Sequence, residues 1–398
     1  MPVGSGASPR ARRLRERYLE ALVREIRAAV VVEGLVPGEG LRTVSFGGGT
    51  PSLLAPEELG GVLDELRRAF GVADGAEVSL EADPGTFDAE KAARWRELGI
   101  TRLSVGVQSF DEGTLRTAGR THGADEAREA LGIVRAAGFE SWSLDLISSL
   151  PRLTPALWEE TLQAAIAEAP DHVSVYDLQI EQGTAFGRRY EAGVAPLPSF
   201  GTSADMYRAA SRALTEAGYE HYEVSNYAMP GARSRHNLVY WQLEPYLAFG
   251  NGAASFLRGE RYGRPRDLEK YFAYVDALEA GERTYGLADD AEDEGGKAED
   301  TETEQLEEAL MLGLRLADGV DWAALEARHG AAALAPLRVP ARQLVADGLA
   351  ELRISGGDWM AARGGEDVAW GEVQRLRLTD PEGFLLSNEA IATLFAAL

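Results

Sequence analysis

Short apolar or β-branched runs alternate with helical patterns through the first half of the chain. Strand-like runs fall at residues 43–46, 78–81, 103–107, 142–147 and 173–178. Between them lie amphipathic stretches at 56–70, 88–98, 124–137 and 157–169, preceded by a long helix over residues 9–32. Strand, helix, strand spells βαβ, and such units force parallel pairing. The strands read as apolar on both faces in places, which predicts a sheet covered by helices and closed, or nearly closed, as a TIM-like barrel. A different pattern follows. Residues 288–308 hold eleven acids and one lysine and read as a solvated linker. Beyond it, 306–316 and 332–347 have helical periodicity and 349–354 and 374–378 are strand-like, which fits a small winged-helix-like domain. The expected organisation is an N-terminal helix and lead-in over 1–42, a barrel over 43–285, an acidic linker over 286–305 and an accessory domain over 306–398.

Polar residues gather where the barrel strands end, the face on which βα loops build sites. Gly47-Gly48-Gly49-Thr50-Pro51 follows one strand, Glu81 a second, Gln108 a third, Asp145 a fourth and residues 176–181 a fifth, with Arg120 one element beyond Gln108. The glycine run lets main-chain groups touch a small molecule, although it also serves as a tight strand-to-helix turn. Glu81 and Asp145 alone fit turn or N-cap acids. Their recurrence one element apart is the signal of a site. A second motif, His236-Asn237-Leu238-Val239-Tyr240-Trp241, sets a histidine beside aromatic residues. Two readings fit: a satisfied histidine at an aromatic core, or an axial ligand to haem iron with Tyr240 and Trp241 packing on the porphyrin. His122, His172, His221 and His329 are dispersed. His122 neighbours the rim residues and His221 precedes the histidine motif, so either is a candidate secondary ligand.

Composition narrows the classes. The 398 residues are 45% hydrophobic, enough for a large core and two or three domains. Sixty-four acids against 40 basic residues give a net charge of -24, which opposes nonspecific nucleic-acid binding. No apolar run reaches the roughly eighteen residues of a membrane span, so a soluble protein is expected, cytoplasmic or organellar. Arg10, Arg12, Arg13, Arg15 and Arg17 fit either a transit-peptide fragment or a solvated helix start. Cysteine is absent, which removes thiolate ligation of zinc or iron-sulfur clusters.

In chain order, Gly47-Gly48-Gly49-Thr50-Pro51-Ser52, Glu81-Ala82-Asp83-Pro84-Gly85, Gly106-Val107-Gln108-Ser109-Phe110, Gly119-Arg120-Thr121-His122 and Leu144-Asp145-Leu146-Ile147 resemble the radical S-adenosylmethionine (SAM) proteins of the oxygen-independent coproporphyrinogen III oxidase-like family. Tyr222-Glu223-Val224-Ser225-Asn226-Tyr227 and the histidine motif are similar to its haem chaperone branch, HemW, more than to the decarboxylase. The resemblance implies an α/β fold, a partial (β/α)6 TIM-like barrel of the radical SAM type with the small accessory domain. It implies SAM at Gly48, Gly49, Thr50, Glu81, Gln108, Arg120 and Asp145, and haem at His236, Tyr240 and Trp241, with His236 on the iron. One departure is severe. Relatives hold a [4Fe-4S] cluster in a CxxxCxxC loop after their first strand, and neither strand nor loop occurs here, so SAM binding is expected to be weak and radical catalysis absent. Ser234 stands where many relatives have cysteine. Either the chain lacks an upstream segment or radical chemistry has been lost. The expected work is to hold haem and hand it to a haem-accepting protein. Coproporphyrinogen III decarboxylation, which needs the cluster, and SAM binding by a pseudo-enzyme are the alternatives.

Overall fold

The structure, a computed structural model, describes residues 8–32, 40–282, 302–354, 357–360 and 369–398. Helix α1 (Pro9–Val32) precedes β1 (Leu41–Phe46), α2 (Pro56–Phe70), β2 (Val72–Ala82), α3 (Ala89–Leu98), β3 (Arg102–Gln108), α4 (Glu112–Thr117), α5 (Ala124–Ala137), β4 (Ser141–Ser148), α6 (Pro155–Ala167), β5 (His172–Asp177) and α7 (Phe200–Glu216). The expected strands and helices therefore form, because each helix carries both a buried stripe and its own start signal. In α2, Pro56 opens the first turn, the Glu58 carboxylate accepts from the Ala55 N–H at 2.8 Å, and Leu59, Val62, Leu63, Leu66 and Phe70 line one buried face.

Strands β1 to β5 run parallel, and the sheet continues through β6 (Glu220–Glu223) and β7 (Asn226–Ala228) in the order β1-β2-β3-β4-β5-β7-β6. A hairpin supplies the last position: β7 runs antiparallel between β5 and β6. The two faces of this curled half barrel differ in chemistry. Val44 pairs with Val78, Leu80 with Leu103, Val105 with Leu144 and Leu144 with Val173, all buried on the helix-covered side. On the opposite face Ser45 pairs with Ser79, Glu81 with Ser104, Ser104 with Ser143 and Asp145 with Ser174. The strands are apolar on both faces only in places, as where Ile147 pairs with Tyr176; the rest of the inner face is a row of hydroxyls and carboxylates, and small serines between branched residues hid the alternation.

After the sheet come α8 (Arg235–Trp241), the hairpin β8 (Ala254–Leu257) and β9 (Glu260–Gly263), and α9 (Leu268–Glu279), which packs on α1. The rest of the described chain is α10 (Glu302–Gly313), β10 (Val320–Asp321), α11 (Trp322–His329), α12 (Ala331–Leu334), α13 (Arg338–Ala346), β11 (Ala350–Ile354), β12 (Trp359–Met360), β13 (Val373–Leu378), α14 (Glu382–Leu385) and α15 (Ser387–Phe395). Its antiparallel sheet, ordered β10-β13-β11-β12, carries a second core built on Leu310, Trp322, Leu344, Leu352, Leu376 and Ile391. Of the stretch expected as a linker, residues 286–301 lie outside the described residues, and Glu302–Gln305 form the first turn of α10.

The two cores are joined at β6. The Val224 N–H donates to the Arg315 carbonyl at 3.0 Å and the Ala317 N–H to the Tyr222 carbonyl at 2.9 Å, so residues 315–317 extend the sheet past its last strand. Asp380 accepts from Ser211 at 2.9 Å and contacts His221 Nδ1 at 2.8 Å, while Glu382 takes a bidentate pair of bonds from Arg208 at 2.7 and 2.8 Å. Among the described residues no helix is long and apolar enough to cross a membrane.

Candidate functional site

At the other edge of the sheet, no strand among the described residues pairs with the outer side of β1. A cavity of about 1140 Å³ runs beside it, bounded by α1, β1, α2, α8 and residues 244–257. Its walls are largely apolar, with Leu41, Phe46, Leu66, Phe70, Leu247 and Phe249 among them, and the Phe70 and Phe249 rings stack at 6.0 Å. The loop wall is anchored from behind. Buried Glu25 of α1 accepts from the Gly250 N–H at 2.9 Å, Tyr271 Oη at 2.8 Å and Arg264 Nε at 2.9 Å.

Helix α8 lies across the β1 edge because its first turn is held from β2. The buried Glu77 carboxylate accepts from the Arg235 N–H at 3.1 Å and the His236 N–H at 2.9 Å, and buried Ser234 caps the Asn237 N–H at 3.3 Å. His236 faces the cavity with both ring nitrogens engaged: Nδ1 meets Thr43 Oγ1 at 2.9 Å and Nε2 meets Tyr240 Oη at 2.7 Å. Burial holds its imidazole below the usual histidine range, against the weaker pull of the Glu77 carboxylate, which favours the neutral ring. Tyr240, one helical turn on, stands edge-on to His236 at 5.0 Å and to Tyr246 at 4.6 Å. Its hydroxyl is pushed up to about 12 by burial and by Tyr246. Trp241, five residues from His236, is off this face and does not line the cavity.

The rim residues come together at the C-terminal ends of β1 to β4. Gly48 donates its N–H to Glu81 at 3.2 Å; Thr50 Oγ1 donates to Asp83 at 3.3 Å; Arg120 binds Asp83 at 2.7 Å and the Gly106 carbonyl at 3.4 Å. A methyl group at Gly106 would sit 2.9 Å from both Asp83 Oδ1 and Gln108 Nε2, so a side chain there would push these polar ends aside. Gln108 adopts a positive φ of 67° and leaves its buried Oε1 without a partner. Asp145 accepts from Ser104 at 3.1 Å on both oxygens; burial pushes it up to about 6, against the Ser174 and Ser104 hydroxyls that pull it down. Burial raises Glu81 as well, the Gly48 N–H opposing.

Gly48, Thr50 and Glu81 also line the cavity that contains His236 and Tyr240, whereas Gly49, Gln108, Arg120 and Asp145 lie outside its lining. The two expected ligand sites are therefore continuous at one corner. The remaining histidines are tied elsewhere: His122 to the Val107 carbonyl at 3.2 Å, His172 to Tyr222 at 2.9 Å and His221 to Asp380. None of them lines the cavity. Asp83, Glu77 and Thr43 were not singled out from sequence. Asp83 had a signal, since Glu81 and Asp83 alternate onto one face. Glu77 and Thr43 had none, being 159 and 193 residues from His236.

A parallel half barrel with its polar loops on one rim, followed by a helical and antiparallel module, is the architecture of radical SAM proteins that carry a HemN-type C-terminal domain. The chain matches the Radical SAM superfamily over residues 4–165 and the HemN C-terminal domain over residues 300–361. Heme chaperone HemW of Synechocystis sp. is 39% identical over 396 residues, covering 96% of this chain and 88% of that one. Heme chaperone HemW of Bacillus subtilis is 33% identical over 316 residues, with 79% of each chain covered. The mitochondrial Radical S-adenosyl methionine domain-containing protein 1 of Bos taurus is 35% identical over 301 residues, covering 74% of this chain and 67% of that one. Coproporphyrinogen III oxidase (HemN) from Escherichia coli shares the fold, with a TM-score of 0.75 at 23% identity over 96% of this chain and 83% of that one. The chain belongs to the HemW family of radical SAM proteins.

Proposed function

We propose that this chain holds haem in the cavity beside β1, with His236 as the iron ligand, and passes it to a haem-accepting protein. The observation that carries this reading is the placement of His236: a half-buried imidazole, held toward its neutral form, in a largely apolar cavity, with Nδ1 against Thr43 Oγ1 and Nε2 against the Tyr240 hydroxyl. A hydrogen-bonded second nitrogen is the usual way a protein orients a ligating histidine. His236 Nε2, which meets the Tyr240 hydroxyl in this structure, would hold the iron, and the Tyr240 and Tyr246 rings would offer the macrocycle an aromatic wall. The relatives named heme chaperones support the same reading.

Radical SAM proteins as a class use SAM and a [4Fe-4S] cluster, and the two fit this chain differently. The rim suits SAM: Gly48 and Thr50, which here donate to Glu81 and Asp83, would face its amino-acid group, Glu81 and Asp145 suit hydroxyls or a sulfonium, and the buried Gln108 Oε1 has no partner among the described residues. SAM bound there supplies a polar ligand beside the haem cavity, and we propose it as a weak second ligand. The cluster does not fit. These 398 residues contain no cysteine, and among the described residues no group of three metal-ligating side chains converges. Coproporphyrinogen decarboxylation is for that reason not our reading.

Haem added to the purified chain should give a Soret band shifted from that of free haem. His236→Ala should abolish or strongly alter the band, and His329→Ala, in α11 of the accessory module, should leave it unchanged. An unchanged spectrum in His236→Ala would overturn the assignment.

A further inference from the structure

We propose that Arg235 and Arg42 receive the carboxylate-bearing edge of the porphyrin whose iron His236 binds; the inference rests on the haem reading above and adds its orientation and cargo selectivity. Both arginines line the cavity. Each is the chain neighbour of a residue of the ligating pair, Arg235 of His236 and Arg42 of Thr43. The guanidinium of Arg235 donates Nη1 to the Gly75 carbonyl at 2.7 Å and Nη2 to the Arg42 carbonyl at 3.3 Å, and among the described residues no carboxylate neutralises it. A guanidinium has five N–H donors, so several remain. Arg42 has a partner, Glu244, but the pair is exposed, with 67% of the Arg42 side chain open to solvent. An exposed pair of this kind contributes little and exchanges readily.

Three considerations assign these cations to an anionic ligand. First, haem carries two propionates, and an apolar cavity cannot take them in without charged partners. Second, a chain with a net charge of -24 repels a dianion unless positive charge is concentrated where it docks. Third, arginine forks match carboxylates in a bidentate way that neither the cavity wall nor the rim acids can supply. The cavity lining holds both arginines, with Glu244 paired to Arg42, then His236 against Thr43 of β1, and Gly48 and Glu81 beyond the C-terminal ends of β1 and β2. A porphyrin seated by its iron alone could face either way; the arginines fix which edge points inward.

The test compares iron protoporphyrin IX with its dimethyl ester, which keeps the iron and macrocycle and lacks both negative charges. Each is titrated into the wild type, Arg42→Gln, Arg235→Gln and the double variant, following the Soret band. The wild type should prefer the free acid over the ester by at least about tenfold, and added salt should weaken binding of the acid alone. Each substitution should weaken the acid roughly tenfold while the ester binds all four proteins alike, with the Soret position unchanged. Equal affinity of the wild type for acid and ester, or an equal loss of both in the variants, would overturn the proposal, the second result making the arginines supports of the cavity wall. If a variant fails to fold, the salt dependence and the acid-to-ester preference of the wild type still decide. Failure of the haem reading looks different: neither porphyrin would give a Soret band that His236→Ala changes.

Discussion

The two edges of the main sheet end in opposite ways. At β6 the edge is continued by residues 315–317 of the accessory module and locked by Asp380 and Glu382. At β1 the edge meets a large apolar cavity, and what crosses it is a single seven-residue helix tied down at its first turn by Glu77. One edge is occupied with polar contacts that serve architecture. The other leaves a histidine, two tyrosines and two arginines facing open space. The capacity for a large flat ligand lies where the sheet is not continued, and the polar inner face, with its hydroxyls and carboxylates, lies between the two edges.

The contrast breaks most severely at its anchors. Glu25→Ala leaves Arg264 buried without its carboxylate and removes the acceptor for Gly250 and Tyr271, behind the cavity wall. Removing one partner of a buried pair costs about 3–5 kcal/mol. Urea denaturation should show that loss; a change below about 1 kcal/mol would mean the wall does not depend on this anchor.

At the β6 edge the expected effect is a pH dependence. Fully buried Glu223 is pushed up to about 7 from its ordinary 4.5 by burial, against the Asn226 amide and the Ser225 N–H. A carboxyl raised in the folded state binds its proton more tightly there than in the unfolded chain. Its contribution is full below about pH 4.5 and is lost as pH rises through about 7. Glu223→Gln should flatten stability across that window, by an amount on the order of 2–3 kcal/mol. A parallel pH profile for the wild type and Glu223→Gln would place the sensitivity elsewhere, with Asp145 the next candidate.

The smallest effect sharpens the cavity edge. Tyr240→Phe keeps the ring and deletes the hydroxyl that occupies His236 Nε2, so haem affinity should rise by the worth of one hydrogen bond, about 0.5–1.5 kcal/mol. Weaker binding in this variant would mean that the hydroxyl serves the bound state.

Much of the framework was legible in the sequence because its signals are local. Residues 56–70 and 124–137 form helices with the expected bounds, and each of the five expected strands lies on an observed one. The clustering of Gly48, Thr50, Glu81, Gln108, Arg120 and Asp145 at strand ends follows from parallel topology, which brings every C-terminal end to one side. What was not legible depends on long-range packing. That the His236 motif forms a helix across a strand edge is settled by Glu77 and Thr43, and that Trp241 turns away from His236 follows only once the helix exists. The hairpin at β7 was missed for a related reason: a three-residue strand has too little pattern to read.

The splice of residues 315–317 onto β6 also bears on how this protein comes apart. The two cores follow one another along the chain and keep separate sheets, but an isolated bridge with two backbone hydrogen bonds ties residues 315–317 to β6, and the acids of one core answer the histidine and arginine of the other. Dissecting the gene between them would give each fragment a raw seam, Tyr222–Val224 on one side and Arg315–Ala317 on the other. The cooperative unit of unfolding is thus the pair, and a calorimetric melt should trace one transition for both cores.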